Sequence, residues 1–77
     1  MRVLEREPFD DPEALFSVLT DDPRVHWSRS ELELQMGWDR VRIEDTLAEL
    51  ERDGLAHRHG RFAWATRAAA RARELMA

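Results

Sequence analysis

The clearest pattern in the chain is an apolar face that repeats with helical spacing between two glycines. Ile43, Leu47 and Leu50 recur at positions i, i+4 and i+7, so they lie on one side of a helix. Asp39 precedes this run as an N-cap, because a carboxylate accepts from the unpaired N–H groups of the first turn. Gly54 follows it, where a helix commonly ends in a left-handed residue. These features predict a helix between Asp39 and Gly54.

An earlier apolar run predicts a first helix. Leu15, Phe16 and Leu19 supply a stripe on one side of it. We expect Asp11 to be the N-cap and Pro12 to be the first helical residue, because the N–H that proline lacks has no partner there anyway.

A capping box predicts the second helix. Ser28 and Glu31 have the spacing at which each side chain satisfies the other's backbone N–H group, which predicts a helix over about residues 29–36. A second box two residues later offers a rival start. The Ser28 start is preferred because it places Leu32 and Met36 on one face.

After these helices the spacing changes to the alternation of a β-hairpin. Residues 56–58 and residues 61–64 flank Gly60, and glycine tolerates the backbone conformation of a tight turn. Phe62 and Trp64 lie on one side of their strand, and we expect that side to cover the helices.

Two further elements complete the predicted order. Residues 25–27 alternate and predict a short first strand, and Thr66 is placed to cap a last, alanine-rich helix over about residues 67–76. The predicted core consists of Leu15, Phe16, Leu19, Leu32, Met36, Ile43, Leu47, Leu50, Leu55, Phe62 and Trp64.

This order resembles the winged helix-turn-helix domain of prokaryotic DNA-binding regulators. The residues that carry the resemblance are Ser28, Glu31, Met36, Gly37, Leu47, Leu50, Glu51, Gly54 and Leu55, followed by the hairpin at Gly60. The resemblance implies an α+β fold that is mainly α, with a three-helix core, a small antiparallel β wing and a C-terminal helix. It would span residues 12–77, after an N-terminal arm of residues 1–11.

The charge of this short chain is unevenly distributed. The 77 residues, enough for one domain, contain 12 basic residues, all arginine, and 16 acidic residues, for a net charge of −4. Residues 1–27 and residues 28–53 each sum to −4, whereas residues 54–77 sum to +4. Phosphate contacts dominate affinity for nucleic acid, so the basic last third keeps DNA as a partner despite the acidic total.

The remaining composition predicts a cytoplasmic protein without a cofactor. There is no cysteine for a disulfide or a thiolate zinc site, no apolar run of membrane-spanning length and no signal peptide. His57 and His59 share one side of a strand but lack a third metal ligand. We find no catalytic constellation, and therefore expect no enzyme activity and no metal site.

The resemblance implies how double-stranded DNA would be held. The first turns of the helix after Asp39 would enter the major groove, where arginine reads guanine and a carboxylate accepts from cytosine. The start of the second helix, the wing and the C-terminal helix would contact phosphates. The candidate DNA-binding residues are Ser28, Arg29, Arg40, Arg42, Asp45, Arg58, His59, Arg61, Arg67 and Arg71.

An acidic row on the same helix opens an alternative function. Glu44, Asp45 and Glu49 would repel phosphates, and such a row is usually a solvated face. A winged helix with an acidic third helix can serve instead as a protein–protein interaction module that does not bind DNA.

Spare apolar residues at both ends of the chain predict a homodimer. Val3, Leu4, Leu75 and Met76 have no obvious partners within one chain. Burial of these residues between two subunits would add core that a 77-residue monomer lacks.

Overall fold

The elements follow the order predicted from the sequence. The computed structural model describes the backbone of residues 10–76 and the side chains of residues 10–75, so residues 1–9 of the predicted arm lie outside the described part. The elements are α1 (Asp11–Asp21), β1 (Trp27–Ser28), α2 (Arg29–Met36), α3 (Arg40–Arg52), β2 (Ala56–His59), β3 (Phe62–Ala65) and α4 (Arg67–Met76). This is an α+β fold, mainly α, whose layout is compatible with a winged helix.

The local capping chemistry sets the start of α2. The Ser28 hydroxyl accepts from the Glu31 N–H at 3.1 Å, and the Glu31 carboxylate accepts from the Ser28 N–H at 2.8 Å. The capping box at Ser28 is therefore confirmed, and the rival start two residues later is wrong. Gly37, with a φ of 69°, then ends α2 in the left-handed region that favours glycine.

The ends of α3 are also those expected. Asp39 accepts from the Arg42 N–H at 2.9 Å. At the other end Gly54 has a φ of 78°, and the Leu55 N–H donates to the Leu50 carbonyl at 2.8 Å. This hydrogen bond closes the helix as a Schellman motif, which turns the chain toward the hairpin.

The first helix starts one residue earlier than predicted. Asp10, not Asp11, is the N-cap, and its carboxylate accepts from the Glu13 N–H at 3.0 Å. Pro12 is consequently the second helical residue, which the first turn still tolerates. The two adjacent aspartates offered equivalent caps, so composition alone did not distinguish them.

Three helices enclose the centre of the core. Ile43, Leu47 and Leu50 of α3 pack in one cluster with leucines of α1 and α2, and all are at most 2% exposed. The fully or nearly fully buried apolar residues are Leu15, Leu19, Leu32, Ile43, Leu47, Leu50, Ala56, Ala63, Ala65 and Ala69. Three further predicted core residues, Phe16, Met36 and Leu55, are partly buried against this cluster.

The side of β3 that faces the helices is not the side that was predicted. Its strands lie in the order β1-β3-β2, all antiparallel. Ala63 and Ala65 face the core, whereas Phe62 is 39% exposed and Trp64 is only half-buried on the outer side. The predicted core positions of Phe62 and Trp64 are therefore wrong. Small side chains on the inner side allow the sheet to lie close to the helices.

The remaining elements agree with the prediction within two residues. β1 comprises Trp27 and Ser28 rather than residues 25–27. Thr66 caps α4, because its hydroxyl accepts from the Ala69 N–H at 3.0 Å. No helix within residues 10–76 has the length and apolar character that crossing a membrane requires.

We expect Leu47→Ala to lower the free energy of unfolding by roughly 2–5 kcal/mol, because the substitution opens a cavity in the fully buried centre of α3. Urea denaturation followed by circular dichroism measures this loss. Val41→Ala on the same helix is the control: Val41 is 67% exposed, and the change should stay within about 0.5 kcal/mol. Equal effects of the two variants would show that the inward face of α3 is assigned wrongly.

Candidate nucleic-acid interface

The outer side of α3 is mixed in character rather than basic. Val41, Asp45 and Arg52 are exposed there, one helical turn or two apart, and Ala48 lies between them. Arg52 is the one cation among these four residues. Asp45, which the sequence predicted as a contact to cytosine, is thus exposed and points away from the core.

Arg42, predicted to read a base, is held against α1. Its Nε and Nη2 donate to the two carboxylate oxygens of Asp11 at 2.8 and 2.7 Å, and its guanidinium lies 4.2 Å from the centre of the Trp38 ring. The hydrogen bond from Arg42 lowers the pKa of Asp11; partial burial opposes this effect and the charge of Arg42 adds to it. The pair therefore stabilises the fold at neutral pH, and this contribution is lost as the pH falls through the lowered pKa.

Arg40, the second predicted base reader, is also paired. Its Nε donates to the carboxylate of Glu33 on α2, and the two side chains remain partly exposed. An exposed ion pair contributes little to stability and opens readily. An external anion can therefore reach Arg40, but Arg40 must give up its ion pair with Glu33 to bind that anion.

Glu44 joins two arginines that the sequence assigned to DNA. One of its oxygens accepts from Arg29 Nε at 2.5 Å and the other from Arg58 Nη1 at 3.2 Å. Arg58 also donates through Nε and Nη2 to Glu51 at 3.0 and 2.7 Å. This hydrogen bond to Glu51, together with the charges of Glu51 and Glu44 and against the effect of burial, raises the pKa of Arg58.

This network, which we call the Glu44 network (Arg29, Glu44, Glu51 and Arg58), connects α2, α3 and the wing. Arg29 is only 7% exposed, and its Nη1 is buried without a hydrogen-bond partner among the described residues. Its position between helices makes it a brace of the fold rather than a surface cation. Ser28 is similarly engaged, because its hydroxyl caps α2.

The wing turn carries the most open of the predicted phosphate contacts. His59 and Arg61 flank Gly60, whose φ of 59° lies in the left-handed region, and both side chains are exposed. The Arg61 guanidinium lies 5.4 Å from the centre of the Phe62 ring, and Arg61 has no ion-pair partner among residues 10–76. The Arg29 N–H donates to the Arg61 carbonyl at 3.0 Å, which anchors the turn beside the start of α2.

The arginines of α4 lie at the other end of the hairpin. Arg67 and Arg71 are exposed one turn apart, and neither forms an ion pair within the described part of the chain. The Thr66 hydroxyl donates to the Gly54 carbonyl at 2.8 Å, which places the start of α4 at the end of α3. Strand β3 separates this end from the wing turn by roughly 13 Å, so the basic residues form two groups.

Sequence reasoning missed the acidic partners and one further arginine. Asp11, Glu33 and Glu44 hold arginines of other elements, and no local pattern marks such long-range pairs. Arg73 donates to the Ser17 carbonyl at 3.1 Å and to the Thr20 hydroxyl at 2.8 Å, and so links α4 to α1. Arg73 follows the buried Ala69 by four residues and so shares its side of α4, but the sequence does not distinguish Ala69 from the alanines beside it.

An acidic groove runs along the boundary of α1 and α3. It has a volume of about 380 Å³ and is lined by Asp11, Asp39, Val41, Arg42, Asp45, Thr46 and Glu49. Four carboxylates and a single arginine face this groove, so it would repel a phosphate backbone. No group of three or more potential ligands among residues 10–76 is arranged to hold a metal ion.

Comparisons with known proteins identify no relative. No protein-family model matches the chain, and neither a curated protein nor a solved structure is significantly similar to it. The function must therefore be argued from the site itself.

We expect Glu44→Gln to lower the free energy of unfolding by roughly 1–3 kcal/mol, because the buried guanidinium of Arg29 then loses its counter-charge. Chemical denaturation at pH 7 measures the effect. Glu49→Gln is the matched control, since Glu49 lies on the same helix, is exposed and has no ion-pair partner among the described residues. Identical stabilities for the two variants would contradict a bracing role for the Glu44 network.

Proposed function

We propose that this chain is a small protein that binds double-stranded DNA and acts as a transcriptional regulator of the winged-helix type. The observation that carries the proposal is the position of the wing turn beside the helix-turn-helix pair. His59 and Arg61 are exposed there, and the backbone hydrogen bond from Arg29 fixes them next to the start of α2. A duplex lying against this end of the molecule would meet the turn and α3 together.

The internal ion pairs determine how strong this binding is. Arg61 contributes a charge that no described carboxylate neutralises, so it gains fully from a phosphate. Arg40, Arg42 and Arg58 must each exchange a carboxylate for a DNA group, which reduces their net gain. We therefore propose that the affinity for DNA is modest and depends on salt. Arg40 and Arg42 add sequence preference. Arg67 and Arg71 contact the DNA phosphate backbone further along the duplex.

A protein–protein interaction module is the second candidate, and the acidic groove favours it. Val41 is 67% exposed at the edge of this groove, next to Asp45 and Glu49. An apolar side chain surrounded by carboxylates suits a partner that presents a basic and apolar surface. Such a partner would occupy the side of α3 that the DNA proposal assigns to the major groove.

We further propose that the chain acts in the cytoplasm as a homodimer. Leu75 is 75% exposed on α4, and a second copy would cover it. Two-fold symmetry also suits DNA recognition, because dimeric helix-turn-helix proteins read two half-sites. Val3 and Leu4, also expected at this interface, lie outside the described residues, as does the side chain of Met76.

We expect Arg61→Ala to weaken binding to all duplex sequences alike and to reduce the slope of log affinity against log salt by about one unit. Arg42→Ala should instead flatten the preference among sequences, by about 1–3 kcal/mol if Arg42 contacts guanine. Fluorescence anisotropy on random and selected duplexes across a salt series measures both. Arg24→Ala, which removes the same charge from a 90% exposed side chain before β1, is the control for net charge.

Removal of acidic side chains from the outer side of α3 distinguishes DNA binding from the protein–protein interaction module. The double variant Asp45→Asn/Glu49→Gln should tighten duplex binding more than Glu13→Gln/Asp21→Asn, which changes the net charge equally at exposed positions of α1. If the wild-type protein shows no salt-dependent duplex binding even at low ionic strength, the DNA proposal fails. The interaction module then becomes the working account.

We expect sedimentation velocity at tens of micromolar to show a dimer, because association covers apolar surface and adds core to a small domain. Leu75→Glu should shift the equilibrium toward monomer without loss of helix content, since Leu75 is exposed within one subunit. Leu34→Glu changes another exposed leucine, on α2, and is the control; Leu34 is 85% exposed. A wild-type protein that remains monomeric throughout this range would exclude the dimer.

A further inference from the structure

All three histidines of the chain and two of its aromatic rings lie on the outer side of the β-sheet. We call this surface the outer sheet face, formed by His26, His57, His59, Phe62 and Trp64. In the β2–β3 ladder His57 pairs with Trp64 and His59 pairs with Phe62. Directly opposed residues of antiparallel strands point to the same side, and the alanines between them point to the core. The sheet thus separates small inner residues from flat outer rings.

The rings of this face already stack on one another. The His26 ring lies parallel to the Trp64 ring, with centres 4.2 Å apart and an angle of 13° between the planes. His57 approaches the same indole at 5.7 Å with a tilt of 48°. His26 is exposed, so the outer surface of this stack is open to a further flat group.

A second open ring lies beside a cation. Phe62 is 39% exposed, and the Arg61 guanidinium lies 5.4 Å from its centre. Phe62 and Trp64 are two residues apart on an extended strand, which separates them by about 6.6 Å. Two flat groups joined by a flexible linkage therefore fit on the face at once.

An arginine without an ion-pair partner among the described residues adjoins this face, because Arg61 lies at Phe62. Residues 54–73 contain five arginines and no acidic residue, although the whole chain has 16 acidic residues. Within the hairpin Arg58 is bound by Glu44 and Glu51, so Arg61 is the hairpin arginine without an ion-pair partner among the described residues. Open rings beside an available arginine are the chemistry with which proteins hold single-stranded nucleic acid, by stacking on bases and pairing with phosphates.

We propose that the outer sheet face binds single-stranded nucleic acid. One base stacks on the His26–Trp64 pair, a neighbouring base stacks on Phe62, and Arg61 pairs with a phosphate between or beside them. Bases within a duplex are stacked on each other and cannot use these rings, so the site acts on unpaired strands. It does not rest on duplex binding by α3, because the rings that define it lie on the sheet.

The test uses the full chain and a labelled oligothymidylate of about 15 nucleotides, followed by fluorescence anisotropy at low salt. Phe62→Leu keeps an apolar side chain but removes the ring, and Phe62→Tyr keeps the ring. We expect the leucine variant to bind about tenfold more weakly and the tyrosine variant to bind like wild type. His26→Ala, at an exposed position outside the core, should weaken binding similarly.

The controls assign any loss to this face. Val41→Ala changes an exposed apolar residue on α3 and should leave oligothymidylate binding unchanged. Circular dichroism of each variant checks that the fold persists. A duplex of the same length, titrated in parallel, reports the proposed regulator function separately, so either proposal can fail while the other stands.

Three results would overturn the proposal. The first is a wild-type protein that does not bind the oligothymidylate at low salt. The second is equal binding by the Phe62→Leu, Phe62→Tyr and His26→Ala variants, which would reduce any binding to charge alone. The third is equal competition: polyglutamate displaces the labelled strand at the same concentration of monomer units as the unlabelled strand does. That result would identify an acidic protein segment as the partner.

Discussion

The inward face of α3 is the constraint on which the rest of this small domain depends. Ile43, Leu47 and Leu50 are buried to 2% exposure or less, and α3 contacts α1, α2 and β2. Because successive residues turn about 100° around a helix, burial of this face fixes the direction of every other side chain. Glu44 is thereby turned toward α2 and the wing, and Arg42 is turned toward α1.

This orientation of α3 explains why arginines of α2, α3 and the wing form ion pairs within the chain. Arg29, Arg40, Arg42 and Arg58 each have a carboxylate partner within the chain. The exposed pairs among them add little to stability. Their main effect is on binding, since a phosphate that approaches these arginines must displace a carboxylate that is already in place. A count of arginines on α3 and the wing therefore overstates the attraction of this surface for DNA.

The parts of the fold that the sequence predicted are those decided by neighbouring residues. The caps at Ser28, Asp39 and Thr66 depend on side chains three residues from the groups they satisfy, so spacing alone identifies them. The face of β3 was not predictable in this way. A four-residue strand alternates equally well in either orientation, and hydrophobicity favoured Phe62 and Trp64, whereas close contact between sheet and helices required alanines.

The candidate site likewise contains features that the sequence predicted and features that it did not. The exposure of Arg61, Arg67 and Arg71 followed from turn and helix positions. The ion pairs did not, because they join residues as far apart as Asp11 and Arg42, which only the packing of α1 on α3 brings together. One feature of the Glu44 network does follow from spacing: Glu44 and Glu51 are seven residues apart and therefore lie on the same side of α3.

The resulting distribution of charge reverses the order of importance expected for a winged helix. The resemblance implies that α3 would make the main contacts with DNA and that the wing would add to them. Here the arginines of the first turn of α3 have carboxylate partners and its outer side includes Asp45, whereas residues 54–73, which form the hairpin and most of α4, contain no acidic residue. Under the DNA proposal a polyanion would meet Arg61 of the wing turn first, because Arg61 has no ion-pair partner among the described residues, whereas Arg58 of the same hairpin is held by Glu44 and Glu51. In that proposed complex the strength of any contact made by α3 would depend on how readily Glu33 and Asp11 give up their ion pairs with Arg40 and Arg42.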